Sequence, residues 1–243
     1  MDRLKGKRTL ITGGTSGIGL ATAQRFLTEG ARVAITGHSE TSVERALGDL
    51  GGGVIGMAAD AGIVSVQQRV ADWIQAEFGC VDAVFVNAGI VDMKPLEQWE
   101  EAAFDHSFAV NLKGPFFLVK ALLPILANPS SIVLMASING HIGMPTSSVY
   151  AATKAGMASL ARTLSGELIS RGIRVNAVSP GPIRTPLFNG MSEDQLRSLV
   201  AQIPAGRPGH PREVADAVVF LASDESGFNV GSEITVDGGM STL

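Results

Sequence analysis

The chain has 243 residues, 45% of them hydrophobic and 17% charged, with a formal net charge of −4. That balance supplies a large core, argues against disorder over most of the length, and gives no electrostatic case for nucleic acid or an anionic membrane surface. A single cysteine, Cys80, excludes an internal disulfide; no run approaches the ~20 apolar residues of a membrane span; and the basic start from Met1 to Arg8 lacks the apolar region of a signal peptide, so a cytoplasmic protein is expected.

Short apolar runs and longer helix-period segments alternate along the chain. Thr9–Ile11 leads through a glycine-rich turn into Ile18–Thr28. Ala31–Ile35 precedes Ser42–Leu50, Val54–Met57 precedes Ser65–Phe78, and Val81–Val86 precedes a long helical stretch, Phe104–Leu126. Ser131–Ala136 leads to Val149–Ser170. Ile173–Val178 leads to an insert and then Arg212–Leu221, and Glu233–Val236 closes the series. The short runs are rich in β-branched residues, as strands covered on both faces should be. The alternation predicts an α/β, Rossmann-type doubly wound parallel sheet in a single domain, residues 1–243. A lid-like insert at about 185–205 is expected: Ser192–Gln202 has helical pattern and stands between Pro180, Pro182, Pro186 and Pro204.

Two motifs carry chemistry. Thr12-Gly13-Gly14-Thr15-Ser16-Gly17-Ile18-Gly19 follows the first strand and opens the first helix. Glycines there allow a tight turn and close approach of phosphate oxygens to backbone amides, and the helix N-terminus behind them carries partial positive charge. Far downstream, Tyr150-Ala151-Ala152-Thr153-Lys154 sets a phenol and an ammonium on one helix face. A phenol titrates near ~10 and is a poor base at neutral pH, but a neighbouring cation stabilises the phenolate. Tyr150 is the chain's one tyrosine, and Ser137 directly follows a strand, at the carboxyl end where such sheets bind ligands.

The set Thr12-Gly13-x-x-x-Gly17-Ile18-Gly19, Asn87-Ala88-Gly89, Asn111, Ser137, Tyr150-x-x-x-Lys154 and Pro180-Gly181, with Val236-Asp237-Gly238-Gly239 near the end, closely resembles the short-chain dehydrogenase/reductase family over most of the chain. The resemblance implies a seven-stranded parallel sheet and a nicotinamide cofactor. It implies that Tyr150 is the general acid in reduction and base in oxidation. Lys154 would lower the Tyr150 pKa and bind the nicotinamide ribose, and Ser137 would orient the carbonyl. Asn111 would anchor a water relaying protons to Lys154, or simply bond locally within its helix. Gly13, Thr15, Ser16, Gly17, Ile18 and Gly19 would surround the phosphates. Asn87, Ala88 and Gly89 would line the adenine–ribose side. Asp60 and Ala61 would meet the adenine, or Asp60 would cap the next helix. Pro180, Gly181, Ile183 and Thr185 would contact the carboxamide and phosphates.

The second strand ends Ile35-Thr36-Gly37-His38-Ser39-Glu40. The aspartate usual in NAD-type family members is replaced by Gly37, so nothing repels a 2′-phosphate. His38 and Ser39 offer partners for one, although His38 also reads as a solvated turn residue. NADP is favoured, with NAD possible. His106, His141 and His210 show no metal spacing, so no metal is expected, and His141 stands close enough to Ser137 to edge a pocket. Val91, Met93, Ile138, Asn139, Met144, Pro145, Phe188 and Met191 form a mostly apolar candidate wall, suiting a ketone or secondary alcohol with apolar substituents. Alternatives are a sugar or acyl-carrier-bound 3-oxo substrate, isomerisation or dehydration on the same fold, or a non-catalytic dinucleotide sensor. Small-molecule substrates and a homotetramer, pairing the Phe104–Leu126 and Val149–Ser170 helices between subunits, complete the expectations.

Overall fold

A computed structural model describes residues 2–243; of the expected domain only Met1 lies outside the described residues. Seven strands run parallel in the order β3-β2-β1-β4-β5-β6-β7. They are β1 (Arg8–Ile11), β2 (Arg32–Gly37), β3 (Val54–Ala58), β4 (Val81–Val86), β5 (Leu126–Met135), β6 (Ile173–Pro180) and β7 (Glu233–Val236). The helices are α1 (Gly17–Thr28), α2 (Glu40–Leu50), α3 (Val64–Phe78), α4 (Glu101–Phe108), α5 (Gly114–Leu122), α6 (Ser148–Leu168), α7 (Glu193–Val200) and α8 (Pro211–Ala222).

Two apolar layers sandwich the sheet. On one face Val70 and Ile74 of α3, Leu118 and Leu122 of α5, and Met157, Ala161 and Leu164 of α6 pack on Leu10, Val84, Ile132 and Val175. On the other, Phe26 of α1 and Val214 and Val218 of α8 pack on Ile11, Val33, Phe85 and Val133. In the central strands β1, β4 and β6 and the second half of β5, residues on both faces are therefore mostly buried, which explains the continuous apolar runs. Chain order reverses between β1 and β4, and the turns following these two strands open a crevice at their carboxyl ends.

Two differences from the sequence expectation change more than the ends of an element by a few residues. The expected helix Phe104–Leu126 is broken: α4 passes through a wide turn of π-helix, Ala109–Lys113, into α5. Pro115 has no N–H to give to the Asn111 carbonyl one turn earlier, so a regular α-helix cannot run through this point. Gly114 packs against the loop after β3, where a Cβ would lie 1.7 Å from the Ala61 carbonyl oxygen. The expected strand Ser131–Ala136 in fact begins at Leu126, which pairs with Val81 before the register shifts at Ala83. The polar stretch Asn128-Pro129-Ser130 hid this extension. The insert forms a turn of 3-10 helix at Pro186–Gly190, then α7, capped reciprocally by Ser192 and Gln195.

Candidate active site and family

The glycine-rich turn joins β1 to α1 and is tied to the end of β4. Thr12 Oγ1 accepts the amides of Asn87 and Ala88, each at 3.0 Å, and Asn87 Nδ2 donates to the Thr12 and Gly13 carbonyls at 3.0 and 3.1 Å. Gly13 and Gly17 adopt φ of +64° and +53°, a region costly for any residue with a Cβ. Gly19 lies so close to the Gly13 carbonyl that a Cβ would sit 2.1 Å from its oxygen. Thr185, in the loop after β6, rests on Gly17. Thr12 was missed as a site residue because its role is internal, joining two loops that are remote in sequence. Ile183 is buried and bridges to Gly209, while the Gly181 amide is already donated to the Val236 carbonyl at 3.0 Å.

At the end of β2, Gly37 is walled in. A Cβ there would lie 2.4 Å from Thr15 Cγ2 and 2.9 Å from Val43 Cγ2. His38 is 84% exposed, with Nδ1 4.0 Å from Asp60 Oδ2. Ser39 caps α2, accepting the Ser42 amide at 3.3 Å. Asp60 does not cap α3, whose cap position is Ile63; its Oδ1 accepts the Gly62 amide at 2.8 Å. The buried Gln67 amide donates to the carbonyls of Asp60, Ala61 and Ile63, shaping this loop. Thr12, Thr36, Ala59, Ala61 and Ala88 line a narrow cleft between the loops.

Ser137, Tyr150 and Lys154 converge at the carboxyl end of β5. Ser137 accepts the Asn139 amide at 3.2 Å, and its side chain lies near enough to the Tyr150 phenol to bear on its pKa. Burial pushes the phenol pKa above its ordinary value of 10.0, and the Ser137 contact pulls it partly back. Lys154 is 4% exposed and donates from Nζ to the Met135 carbonyl at 3.0 Å. Burial holds its ammonium pKa at about 8. Nζ lies 5.7 Å from the Tyr150 ring centroid and is turned to the Met135 carbonyl, and desolvation is the largest influence on the phenol.

Asn111 stands in the π-turn with its side chain fully engaged. Oδ1 accepts the Ile90 amide at 2.8 Å, and Nδ2 donates to the Ile90 carbonyl at 2.9 Å and Thr153 Oγ1 at 3.3 Å. Its bonds are neither within its own helix nor to Lys154; the amide clamps the strand-end segment Asn87–Ile90. Of the candidate wall, Val91, Met93 and Met191 are exposed, whereas Ile138 and Asn139 are core residues. The Asn139 amide faces Met144 Sδ at 3.8 Å. His141 Nε2 meets Glu233 Oε1 at 2.6 Å, and His210 sits at the cap of α8. Among the described residues no three His, Cys, Asp or Glu gather as a metal site, and no helix is long and apolar enough to cross a membrane.

This arrangement has close relatives. The family model described as enoyl-(acyl carrier protein) reductase matches residues 13–241. The chain is 37% identical to the 3-oxoacyl-acyl-carrier-protein reductase FabG of Thermotoga maritima, covering 98% of this chain and 99% of that one. It is 38% identical to the NADP-dependent (R)-specific alcohol dehydrogenase of Lentilactobacillus kefiri, covering 98% of each. A solved short chain dehydrogenase/reductase family protein superposes with a TM-score of 0.89 at 38% identity, covering 99% of this chain and 100% of that one. The chain belongs to the short-chain dehydrogenase/reductase family. It is an oxidoreductase of that family, and the family uses nicotinamide cofactors.

The residues present fit such a cofactor. Ser16, at the cap position of α1, makes no side-chain capping bond, and the first turn holds no acidic residue. The helix therefore offers its amides and positive end to an anion. Gly89 faces Lys154 and Asn111, where a Cβ would lie 3.5 Å from Nζ and 3.1 Å from Oδ1. A bare backbone there keeps a side chain from lying over the buried Nζ.

Proposed function

We propose that the protein is an NADP-preferring carbonyl reductase and secondary-alcohol dehydrogenase. The observation that carries this reading is the convergence of Ser137, Tyr150 and Lys154 beside an uncapped glycine-rich helix N-terminus. The cofactor supplies the hydride when bound. Ser137 and Tyr150 hydrogen-bond the carbonyl oxygen, and Tyr150 gives it a proton as negative charge builds. Lys154 would hold the ribose hydroxyls of the bound cofactor and supply positive charge near the phenol. Asn111 fixes Ile90, next to the Asn87-Ala88-Gly89 segment that would line the adenine–ribose side.

Gly37 supports the choice of NADP. Thr15 and Val43 are both β-branched and stiff, so the position that would hold an acidic side chain has no room for one. The exposed His38 and the Ser39 hydroxyl, with Thr15 and Ser16 opposite, remain to meet a 2′-phosphate. The relatives that reduce 3-oxoacyl groups on a carrier protein favour one second reading, a 3-oxoacyl thioester substrate. The segment 185–205 is proposed as a lid, since α7 buries none of its residues and Met191 is exposed beside the Thr185 loop. Exposed Phe104 and Phe116 on α4 and α5 support a homotetramer through these helices and α6, and the single cysteine supports residence in the cytoplasm.

A panel of apolar ketones, keto sugars and 3-oxoacyl thioesters, followed by NADPH and NADH consumption, tests the reading. Turnover of ketones with a lower KM for NADPH is expected. Absence of reduction across the whole panel refutes it.

A further inference from the structure

A carboxylate outside the proton-transfer set ties its two loops together. Glu233 opens β7 and is largely buried, with 17% of its side chain exposed. Its Oε1 receives two groups: His141 Nε2 at 2.6 Å and the Ser179 hydroxyl. Oε2 points toward Arg162 Nη1 of α6 at 3.9 Å. His141 ends the turn that begins at Ser137, in which the Gly140 amide bonds the Ser137 carbonyl at 3.0 Å and the His141 amide bonds the Ile138 carbonyl at 2.8 Å. Ser179 immediately precedes Pro180-Gly181. One oxygen thus joins the loop carrying Ser137 to the strand end proposed to face the nicotinamide.

We propose that Glu233 and His141 are positioning residues that hold the Ser137 hydroxyl against the Tyr150 phenol. This rests on the reading of Ser137 and Tyr150 as the proton-transfer pair. The physical need is plain. The turn from Ser137 to His141 is a single 3-10 turn with two backbone bonds, and Ser137 Oγ is otherwise held only by the Asn139 amide at 3.2 Å, inside the same turn. Gly140 packs on α6, where a Cβ would lie 2.9 Å from the Ala155 amide nitrogen, but these contacts give the turn no side-chain anchor on the β6–β7 side. The imidazole–carboxylate bond supplies that external anchor, and β7, paired to β6 over four positions, makes the anchor rigid. Proton transfer is sensitive to sub-ångström placement, so a loosened turn lowers the rate without removing any group that touches substrate.

Tyr150 is the chain's one tyrosine, so protein labelled with 13Cζ-tyrosine gives a single phenolic carbon resonance, read without any substrate. His141→Ala is expected to move that resonance in the direction that Ser137→Ala moves it, and Glu233→Ala to do the same from the other side of the contact. His141→Gln, which keeps a donor N–H at similar reach, is expected to restore the wild-type position. In turnover, His141→Ala should lower kcat at least fivefold, with KM and the NADP dissociation constant within twofold. A resonance that shifts in Ser137→Ala but stays put in His141→Ala overturns the proposal. So does one unmoved in Ser137→Ala, or one that His141→Gln shifts as far as His141→Ala does. A protein that reduces no carbonyl yet shows the His141→Ala shift keeps this tether and refutes only the proposed activity.

Discussion

Lys154 should destabilise the folded chain at neutral pH, and replacing it should reveal by how much. Its ammonium is 4% exposed and its pKa falls from 10.5 to about 8 through burial alone. That gap of about 2.5 pH units corresponds to about 3.4 kcal/mol of cost for holding the charged form inside, at 1.36 kcal/mol per unit. The sign follows from proton counting. Between pH 8 and 10.5 the unfolded chain binds more protons than the folded one at this site, so stability rises with pH through that window. Below pH 8 the site is charged in both states and the full penalty stands.

Lys154→Met removes the charge at similar volume and leaves the Met135 carbonyl unpaired, a loss of about 1 kcal/mol. The variant is therefore expected to be more stable than wild type at pH 7 by about 2 kcal/mol, or about 4–8 °C in melting temperature for a chain of this size. By pH 10 wild type should have recovered about 2.5 kcal/mol, and the difference should vanish. Tyr150 does not confuse this window: its pKa is raised, so it weakens the fold only above pH 10. Urea titrations followed by circular dichroism at pH 7, 8, 9 and 10 measure the difference. A Lys154→Met protein less stable than wild type at pH 7, or a difference that stays constant to pH 10, refutes the reasoning.

Other expectations follow from the same geometry. Tyr150→Phe should lower kcat by about 10²–10⁴, the range for a lost general acid, while NADP binding measured by fluorescence titration changes little. Gly37→Asp should not create an NAD enzyme: the new Cβ meets Thr15 and Val43, so affinity for both cofactors should fall in calorimetry, and a gain in NAD affinity would show that the wall yields. Thr12→Val leaves the Asn87 and Ala88 amides without their shared acceptor and should cost about 2–3 kcal/mol in urea unfolding, together with weaker cofactor binding. An unchanged unfolding midpoint would mean that water replaces the hydroxyl.

Much of the site was legible in sequence because its parts are local. A glycine turn after a strand and a Tyr-x-x-x-Lys pair on a helix are set by spacings of a few residues, which backbone geometry converts directly into position. The break before α5 was less visible. Pro115 marks it, but the apolar periodicity runs straight through the proline and hides it. The early start of β5 was hidden because Asn128-Pro129-Ser130 lacks strand character, and only pairing with β4 and β6 holds it extended.

The sequence by itself determined the α/β architecture and the seven strands, which follow from burial periodicity, while its short motifs and the family resemblance they carry named candidate residues for the crevice. Tertiary structure alone decided how those residues are used. Whether Lys154 faces the phenol or the Met135 carbonyl, whether Asn111 serves its own helix or Ile90, and which carboxylate anchors the Ser137 turn all depend on contacts between segments tens of residues apart. Desolvation is likewise a property of the assembled core. It drives the Tyr150 and Lys154 pKa values in opposite directions, and no spacing along the chain encodes it.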